Sequence, residues 1–494
     1  MSWSRRRVLG AVPGLGLGLG LGLGTIPWLG CAGRGSDRRP PQTPSSVAVE
    51  LPRITRGTFG RGSGLYLVED HGVPLVAMAV AVAAGHRHER SQEQGRAAVA
   101  ASMVLEGMEG GDRAALLGRY GDLGATPYTS VGRSLLVLGS TVHRDDAVAA
   151  LRLMLGNLRR PTGADDAFER VVREHRESLR AARGSAEVVA GLGLLLASQG
   201  VEPPASLLSE GTAESLAALT PEQARAWLAL RLRLDGLTFL MAGDVDEPQI
   251  LRWIDAATDD WPPASEPAPA IPPVPERLLA SARPRIVLVH WPQLPQAIVA
   301  LGGPREPYGH PDEPAQTLAD GILLSVMHHE LRQRRRISYG VQQRGWNTRL
   351  GVVTQLWAKV EPTRVGPATE QLRAFVERFE QGALLVDEAV IDDRQAAMIA
   401  MMHDYHGAEP ALGQLRRLAE ADLPARTPQQ RLAWLRSLDA PQVTAALRQL
   451  AHPERLRWCI VGDSAVLEQA RSVLPREGVV ERTPAELFER AGAA

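Results

Sequence analysis

Histidines are the residues of this sequence that could most readily bind a metal ion. Three pairs lie close together in the sequence: His86 and His88, His328 and His329, and His403 and His406. Two histidines three or four residues apart on one helix face can bind zinc, and a glutamate beside them can act as a general base. Only the last pair has this spacing, and no glutamate lies within it. The sequence contains neither H-x-x-E-H nor H-E-x-x-H, so we expect solvated or capping histidines.

The two cysteines differ in their surroundings. Cys459 lies within the apolar run 457–461, which is typical of a buried strand, so we expect an inert packed thiol. Cys31 follows arginines 5–7 and the apolar Gly/Leu run 8–29, a pattern typical of export signals. Residues 4–9 resemble a twin-arginine signal, and residues 28–31 resemble a bacterial lipobox.

A lipobox cysteine becomes the lipidated first residue of the mature protein. We therefore predict lipidation at Cys31, with a retained membrane anchor or simple cleavage and release as the alternatives. With Cys31 lipidated, Cys459 would have no partner for an intramolecular disulfide. No Ser/His/Asp or Cys/His motif indicates a nucleophilic hydrolase.

Composition and proline content outline the elements that must position any site. The chain has 494 residues, 44% of them hydrophobic, and 56 acidic residues balance 55 basic ones, so nothing indicates a nucleic-acid partner. The predicted organisation is an export or lipoprotein signal at 1–30, a flexible tether at 31–50, an N-terminal domain at 51–261, a Pro-rich linker at 262–279 and a C-terminal domain at 280–482.

The two predicted domains resemble each other. Each begins with two apolar strands and ends with a strand closed by Gly-Asp, at Gly243 in the first half and Gly462 in the second. These glycines are 219 residues apart (462 minus 243), and Gly85 and Gly303, after the early strands, are 218 apart (303 minus 85). Helices are predicted at 93–106 and 165–182. The mixture of strands and helices predicts a duplicated α+β fold.

This order of elements and several short motifs resemble the insulinase/pitrilysin family of zinc peptidases, over about residues 51–480. The motifs are Ala83-Ala84-Gly85, Glu93-Gln94-Gly95, Leu123-Gly124-Ala125, Gly243-Asp244, and Leu331-Arg332 through Tyr339-Gly340-Val341. The resemblance implies two homologous domains like those of mitochondrial processing peptidase. Each would be a mostly antiparallel sheet packed with helices, and the Pro-rich linker would join them.

Active members of that family carry H-x-x-E-H on the first helix of the first domain. Alignment on Gly95 places Ala98, Ala101 and Ser102 at the three motif positions, so the resemblance implies a degenerate zinc motif. The family's third ligand, a glutamate on another helix, corresponds to Glu177, with Glu174 one turn away as the alternative. One carboxylate does not hold zinc. We expect no catalytic residue, metal or cofactor in this chain, and a solvated or Arg-paired Glu177.

The family also uses an arginine and a tyrosine seven residues apart in the C-terminal domain to hold the substrate backbone and stabilise the oxyanion. Arg332 and Tyr339 match that spacing, and a guanidinium and a phenol are donors suited to a carbonyl oxygen that gains charge. The alternative is a basic helix end followed by a strand start. The Gly-rich turn that usually precedes this helix is replaced by residues 322–326.

Some family members are two-chain enzymes, in which one subunit bears zinc and the other bears only the Arg/Tyr pair. The resemblance therefore implies a non-catalytic subunit that acts with a zinc-bearing paralogous partner on a peptide substrate, with zinc in the partner. The export signal places it in the bacterial cell envelope, facing the periplasm and held by a lipid anchor. The alternatives are a peptide-binding or structural envelope lipoprotein without catalysis, and a hydrolase with a different site.

Overall fold

The structure is a computed structural model that describes residues 49–59, 62–109, 111–159, 165–199, 211–261, 269, 271, 285–348, 351–382 and 388–489. The predicted signal, Cys31 and the tether up to residue 48 lie outside these residues. So does the predicted Pro-rich linker, except residues 269 and 271.

The first half is built around one sheet with helices on both faces. Its strands are β1 (Ile54–Phe59), β2 (Ser63–Glu69), β3 (Leu75–Val82), β4 (Gly107–Met108), β5 (Gly111–Asp112), β6 (Tyr128–Val131), β7 (Leu136–His143) and β8 (Leu237–Gly243). Its helices are α1 (Arg96–Val104), α2 (Arg113–Asp122), α3 (Ala147–Arg159), α4 (Asp165–Arg183), α5 (Ala186–Gln199), α6 (Ala213–Ala218), α7 (Pro221–Arg231) and α8 (Glu247–Thr258). The two helices predicted from the sequence correspond to α1 and α4.

The second half repeats this plan. Its strands are β9 (Ile286–His290), β10 (Ala297–Arg305), β11 (Val341–Thr348), β12 (Gly351–Val360), β13 (Arg457–Gly462) and β14 (Val479–Arg482). Its helices are α9 (Glu313–His328), α10 (Val365–Glu380), α11 (Glu388–Met401), α12 (Ala408–Glu420), α13 (Thr427–Ser437), α14 (Ala440–Ala451), α15 (Ser464–Val473) and α16 (Pro484–Glu489). A π-helical turn, His329–Arg334, directly continues α9.

The two six-stranded sheets share the order of five strands and differ in the sixth, because the edge strand β1 is the first of its half and antiparallel to β2, whereas β14 is the last of its half and parallel to β9. The first reads β1-β2-β8-β3-β7-β6, and the second reads β14-β9-β13-β10-β12-β11 from the corresponding edge. In each half the strand that ends in Gly-Asp inserts between the first two strands of the repeat, parallel to one and antiparallel to the other. Antiparallel pairs outnumber parallel ones in both sheets. The shared order confirms the duplicated α+β fold.

The strand register corrects one detail of the predicted repeat. Pairing with the Gly-Asp strands aligns Ala77 of β3 with Ile298 of β10. Counting along both strands, Gly303 then corresponds to Val82, whereas Gly85 lies beyond the end of β3. The near-equal glycine spacings are therefore coincidental, because β10 continues past the residue that matches the end of β3. The duplication rests on the strand order instead.

Each sheet is covered on one face by helices of its own half and on the other by a helix of the opposite half. Helix α5 of the first half packs on β9, β10 and β13 through residues such as Leu192 and Leu194. Helix α12 of the second half packs on β2, β3 and β8 through residues such as Leu412 and Leu415. Side chains alternate between the faces of a strand, so strands covered on both faces are apolar throughout, as β3 is from Val76 onward.

Polar contacts reinforce the exchanged helix α12. The Glu420 carboxylate accepts hydrogen bonds from the backbone N–H groups of Ser134 and Leu135 in the first half. Burial raises the pKa of Glu420. The Tyr66 hydroxyl of β2 donates to the carbonyl of Leu423 at 2.9 Å, and burial raises the pKa of Tyr66 to about 12. The halves are therefore joined by a shared core and by buried hydrogen bonds.

Within the described residues, no single helix combines the length and apolar character needed to cross a bilayer. Helices α4 and α5 meet both criteria only as a pair, and that pair is bent by 84°.

Alanine at position 193 should destabilise the protein, because α5 lies very close to the second sheet there. A Cβ on Gly193 would lie 2.4 Å from the Cys459 Sγ, so α5 or β13 would have to shift. We expect Gly193→Ala to lower the free energy of unfolding by about 1–3 kcal/mol in chemical denaturation. Cys459→Ala in the same chain should recover part of this loss by removing the sulfur.

Gly118 in α2 provides the matched control, because a Cβ there would meet no atom within 4 Å. Gly118→Ala should raise stability by up to about 1 kcal/mol, the usual gain for alanine over glycine in a helix. Equal effects of the two substitutions would contradict the close packing of α5.

Candidate functional site

Helix α1 carries the three positions that the resemblance assigns to the zinc motif, and its start is fixed by buried polar groups. Gly95 precedes the helix in the left-handed conformation, with φ of 86°. The carboxylate of Glu89 accepts the N–H of Ala97 at 2.6 Å. Burial raises the pKa of Glu89 to about 8, although hydrogen bonds from the Ala97 and Gly95 N–H groups favour its ionised form. The first turn of α1 is therefore anchored independently of any metal.

Ala98, Ala101 and Ser102 lie on one face of α1, as their spacing predicts. The two alanines are buried and Ser102 is half-buried. Of the three, only Ser102 has a polar side chain, and its Oγ lies 3.1 Å from the Nε2 of His175 on α4. A serine–histidine hydrogen bond thus joins α1 to α4, the two helices from which family members supply their zinc ligands.

The α4 residue that contacts Ser102 is His175 and not Glu177. Both Glu177, the predicted third-ligand position, and the alternative Glu174 are exposed. His175 follows the buried Val171 by four residues and precedes the buried Leu179 by four, so it lies on the apolar stripe of α4. That periodicity was the signal in the sequence that could have identified His175. Counting the family's ligand spacing along the chain selects Glu177, which lies two residues further on and is exposed.

The residues at this position do not fit a zinc ion. Zinc requires at least three nitrogen, sulfur or carboxylate ligands, and the contact between α1 and α4 offers one imidazole and one neutral hydroxyl. Across the part of the chain that the structure describes, no group of three or more histidine, cysteine, aspartate or glutamate side chains is arranged to hold a metal ion. No metal-dependent step can therefore be derived for this chain.

The Ser102–His175 pair is also poorly suited to nucleophilic catalysis. Burial lowers the pKa of His175 to about 4, whereas a general base works best when its pKa lies near the working pH. Ser102 lies in the last turn of α1, where the helix dipole is negative and disfavours an oxyanion. The geometry supports a packing role, in which the hydrogen bond holds α4 against α1.

The predicted substrate-binding pair lies where α9 ends and β11 begins. The carbonyl of Leu331, within the π-helical turn, accepts the N–H groups of Ile337 at 2.7 Å and Ser338 at 3.2 Å. Leu331 and Ile337 are buried in the hydrophobic core of the second half. This closure brings together the residues that directly precede Arg332 and Tyr339.

Both members of the pair face solvent. Arg332 is exposed, with one Nη atom 3.5 Å from the Nε2 of His328, and Tyr339 is 87% exposed. Residues 322–326, which replace the family's Gly-rich turn, lie inside α9. The loop thus presents a guanidinium and a phenol to solvent from a backbone held by hydrogen bonds to Leu331.

Removing the Ser102–His175 hydrogen bond should weaken the contact between α1 and α4. We expect Ser102→Ala and His175→Ala each to lower the free energy of unfolding, and the double variant to lose less than their sum. The coupling energy should be about 1 kcal/mol, the usual contribution of one hydrogen bond. Urea denaturation of the unchanged protein, the two single variants and the double variant measures this coupling energy. Ser178→Ala on the same helix is the control, and a coupling of zero for Ser102 would contradict the contact.

Burial of Glu89 predicts a pH-dependent stability. Folding raises its pKa from 4.5 to about 8, so between these values the folded state binds more protons than the unfolded state and stability falls as pH rises. Glu89→Gln keeps an oxygen that can accept the Ala97 N–H and should flatten this fall. Denaturation midpoints measured across that range test the prediction, and parallel curves for the two proteins would contradict it.

Comparison with known proteins finds a family match for the middle of the chain. Residues 218–397 match the family model described as the peptidase M16 inactive domain. The match begins at the end of α6 and runs into α11, so it includes Arg332 and Tyr339. No curated protein sequence matches the chain.

Solved structures show the same fold over both halves. A peptidase M16 inactive domain from Pseudomonas fluorescens has a TM-score of 0.73 at 19% identity, over 83% of this chain and 98% of that one. A protease from Helicobacter pylori has a TM-score of 0.71 at 14% identity, over 83% and 100%. The first half of the periplasmic protease PqqL from Escherichia coli has a TM-score of 0.66 at 14% identity, over 90% and 99%.

These identities are low, and the structures therefore establish the fold alone, while the family model adds a sequence match across the junction between the halves. Together they confirm the resemblance seen in the sequence. Residues 218–397 match the peptidase M16 inactive domain in sequence, and the chain has the fold of M16, or insulinase/pitrilysin, peptidases and their homologues over the residues that the structure describes.

Proposed function

We propose that this chain is the non-catalytic subunit of a two-chain M16 peptidase, in which it contributes Arg332 and Tyr339 to a zinc site carried by its partner. The observation that carries the proposal is the asymmetry between the halves. In the first half, α1 places two alanines and a serine where zinc ligands and a general base would be needed. In the second half, an arginine and a tyrosine of the family's spacing are exposed.

The exposure of Tyr339 supports a role in binding. A tyrosine usually buries most of its ring, yet this side chain is 87% exposed on a loop whose backbone is fixed by hydrogen bonds to Leu331. A rigid loop holds its donors in place before the substrate arrives, which is the condition for electrostatic stabilisation of a developing oxyanion. Arg332 and Tyr339 therefore suit the binding of a peptide carbonyl that becomes negatively charged at the partner's zinc.

A longer protein of similar fold is compatible with a second subunit. The alignment covers 90% of this chain and 49% of the complete PqqL protein from Escherichia coli, and it covers 99% of the first half of that protein. In PqqL a unit of this fold is thus joined to a further segment of similar length, and in the proposed complex a separate partner of the same fold would take that place. That partner would carry the intact zinc motif and the zinc ion.

The N-terminal sequence supports location in the cell envelope. The apolar segment before Cys31 has the features of an export signal with a lipobox. PqqL is described as periplasmic, and the same compartment suits a subunit anchored by a lipid on Cys31. In this assignment the complex cleaves peptides at the membrane surface.

Replacing the Arg/Tyr pair should reduce peptide cleavage by the complex without preventing its assembly. We expect Arg332→Ala with Tyr339→Phe to lower kcat/KM by about 100-fold, the usual order of loss when oxyanion donors are removed. Cleavage of a fluorogenic peptide is measured after co-expression with a zinc-bearing relative from the same organism, and co-purification confirms assembly. Arg252→Ala, at an exposed arginine of α8, is the matched control and should leave the rate unchanged.

Peptidase activity of the lone chain would contradict the proposal, and so would equal activity of the complex with and without the pair. A chain that binds peptide and co-purifies with no zinc-bearing relative would instead be a binding lipoprotein without catalysis.

A further inference from the structure

The loop with Arg332 and Tyr339 also concentrates exposed positive charge. Residues 332–336, here called the arginine segment, contain four arginines, all of them exposed: Arg332, Arg334, Arg335 and Arg336. Arg334 forms an ion pair of 3.3 Å with Glu330. Within the described ranges, the other three arginines have no carboxylate partner. The segment therefore presents about three uncompensated positive charges next to Tyr339.

A nearby histidine lies within the field of the same charges. The pKa of His328 is lowered first by burial, which disfavours any charged group, and then by Arg332 and His329. Only the part due to these neighbours reflects a positive potential, which favours an anion.

The backbone keeps the arginine segment in place at an energetic cost. Arg336 has φ of 55°, in the left-handed region that glycine adopts freely, and a larger residue there costs about 1–2 kcal/mol. Its carbonyl accepts a hydrogen bond of 3.4 Å from an Nη of Arg364. Immediately after it, Ile337 and Ser338 return to the carbonyl of Leu331. The chain thus holds a strained arginine at the turn of the loop.

We infer that the arginine segment selects acidic peptides, by binding Asp and Glu side chains that flank the peptide bond held by Arg332 and Tyr339. This inference rests on the proposed function, which places a peptide against the same loop. Guanidinium groups match carboxylates in geometry and bind them through two parallel hydrogen bonds. Arg335 and Arg336 lie between these two residues in the sequence, and both are exposed on the same loop.

An anionic membrane surface would satisfy the same charges, but the sequence position of the segment favours a peptide. The arginines share with Tyr339 a short loop that is closed at Leu331, so the same exposed segment offers a phenol as well as positive charge. A tyrosine hydroxyl suits a peptide carbonyl, whereas attraction to a lipid surface requires positive charge alone.

The test measures binding to the purified, isolated chain by fluorescence anisotropy. The probes are three labelled synthetic peptides of equal length, one rich in Asp and Glu, one neutral and one rich in Lys and Arg. We expect the acidic peptide to bind tightest and to weaken as salt is raised. Arg335→Gln with Arg336→Gln should weaken its binding about three- to tenfold, since each exposed ion pair contributes up to about 1 kcal/mol.

The matched control is Arg252→Gln with Arg476→Gln, which removes the same charge at two exposed arginines outside the loop and should leave the preference intact. Equal binding of the three peptides would overturn the inference. So would an equal loss in the two double variants, or binding of the chain to anionic vesicles without a preference among the peptides. Because no partner is present, these results are obtained without the cleavage assay, so a failure of the inference is distinguishable from a failure of the proposed function.

Discussion

The exchange of helices α5 and α12 is the packing constraint on which the rest of the structure depends. Each six-stranded sheet has two apolar faces, and the helices of its own half cover only one of them. The second face is covered by one helix from the opposite half. Neither sheet could be fully buried if the halves separated, so the two domains form one folded unit. Helix α5 packs closely on the second sheet because glycines face it: Gly191 lies against Trp346, and Gly193 lies against Cys459.

This exchange also fixes the contact between α1 and α4. Helix α4 leads directly into α5, and residues of α1, α4 and α5 share one core with the second sheet. The contact between α1 and α4 is thus fixed from one side by packing and from the other by the Ser102–His175 hydrogen bond. A metal ion is not needed to hold the two helices together. The first half therefore holds α1 against α4 with two alanines and a serine at the positions that the resemblance assigns to the zinc motif.

The sequence predicted the duplicated α+β fold, the positions of α1 and α4, and the family, because hydrophobic periodicity and short motifs are local signals. It did not predict the exchange, since an apolar helix such as α5 has the same pattern whichever sheet it covers. His175 was missed because the candidate residue was chosen by the family's ligand spacing along the chain. The apolar stripe of α4, on which His175 lies, was not considered. The equal spacing of Gly85 and Gly303 was misleading, because strand register depends on pairing partners that a single sequence does not specify.

The central claim is that this chain contributes substrate-binding groups but no metal to a two-chain peptidase. The most direct test is the zinc content of the purified complex and of each separated subunit, measured by elemental analysis. We expect about one zinc per heterodimer, all of it retained by the partner, with none in this chain. Stoichiometric zinc in the isolated chain, lost when Ser102 or His175 is replaced by alanine, would contradict it.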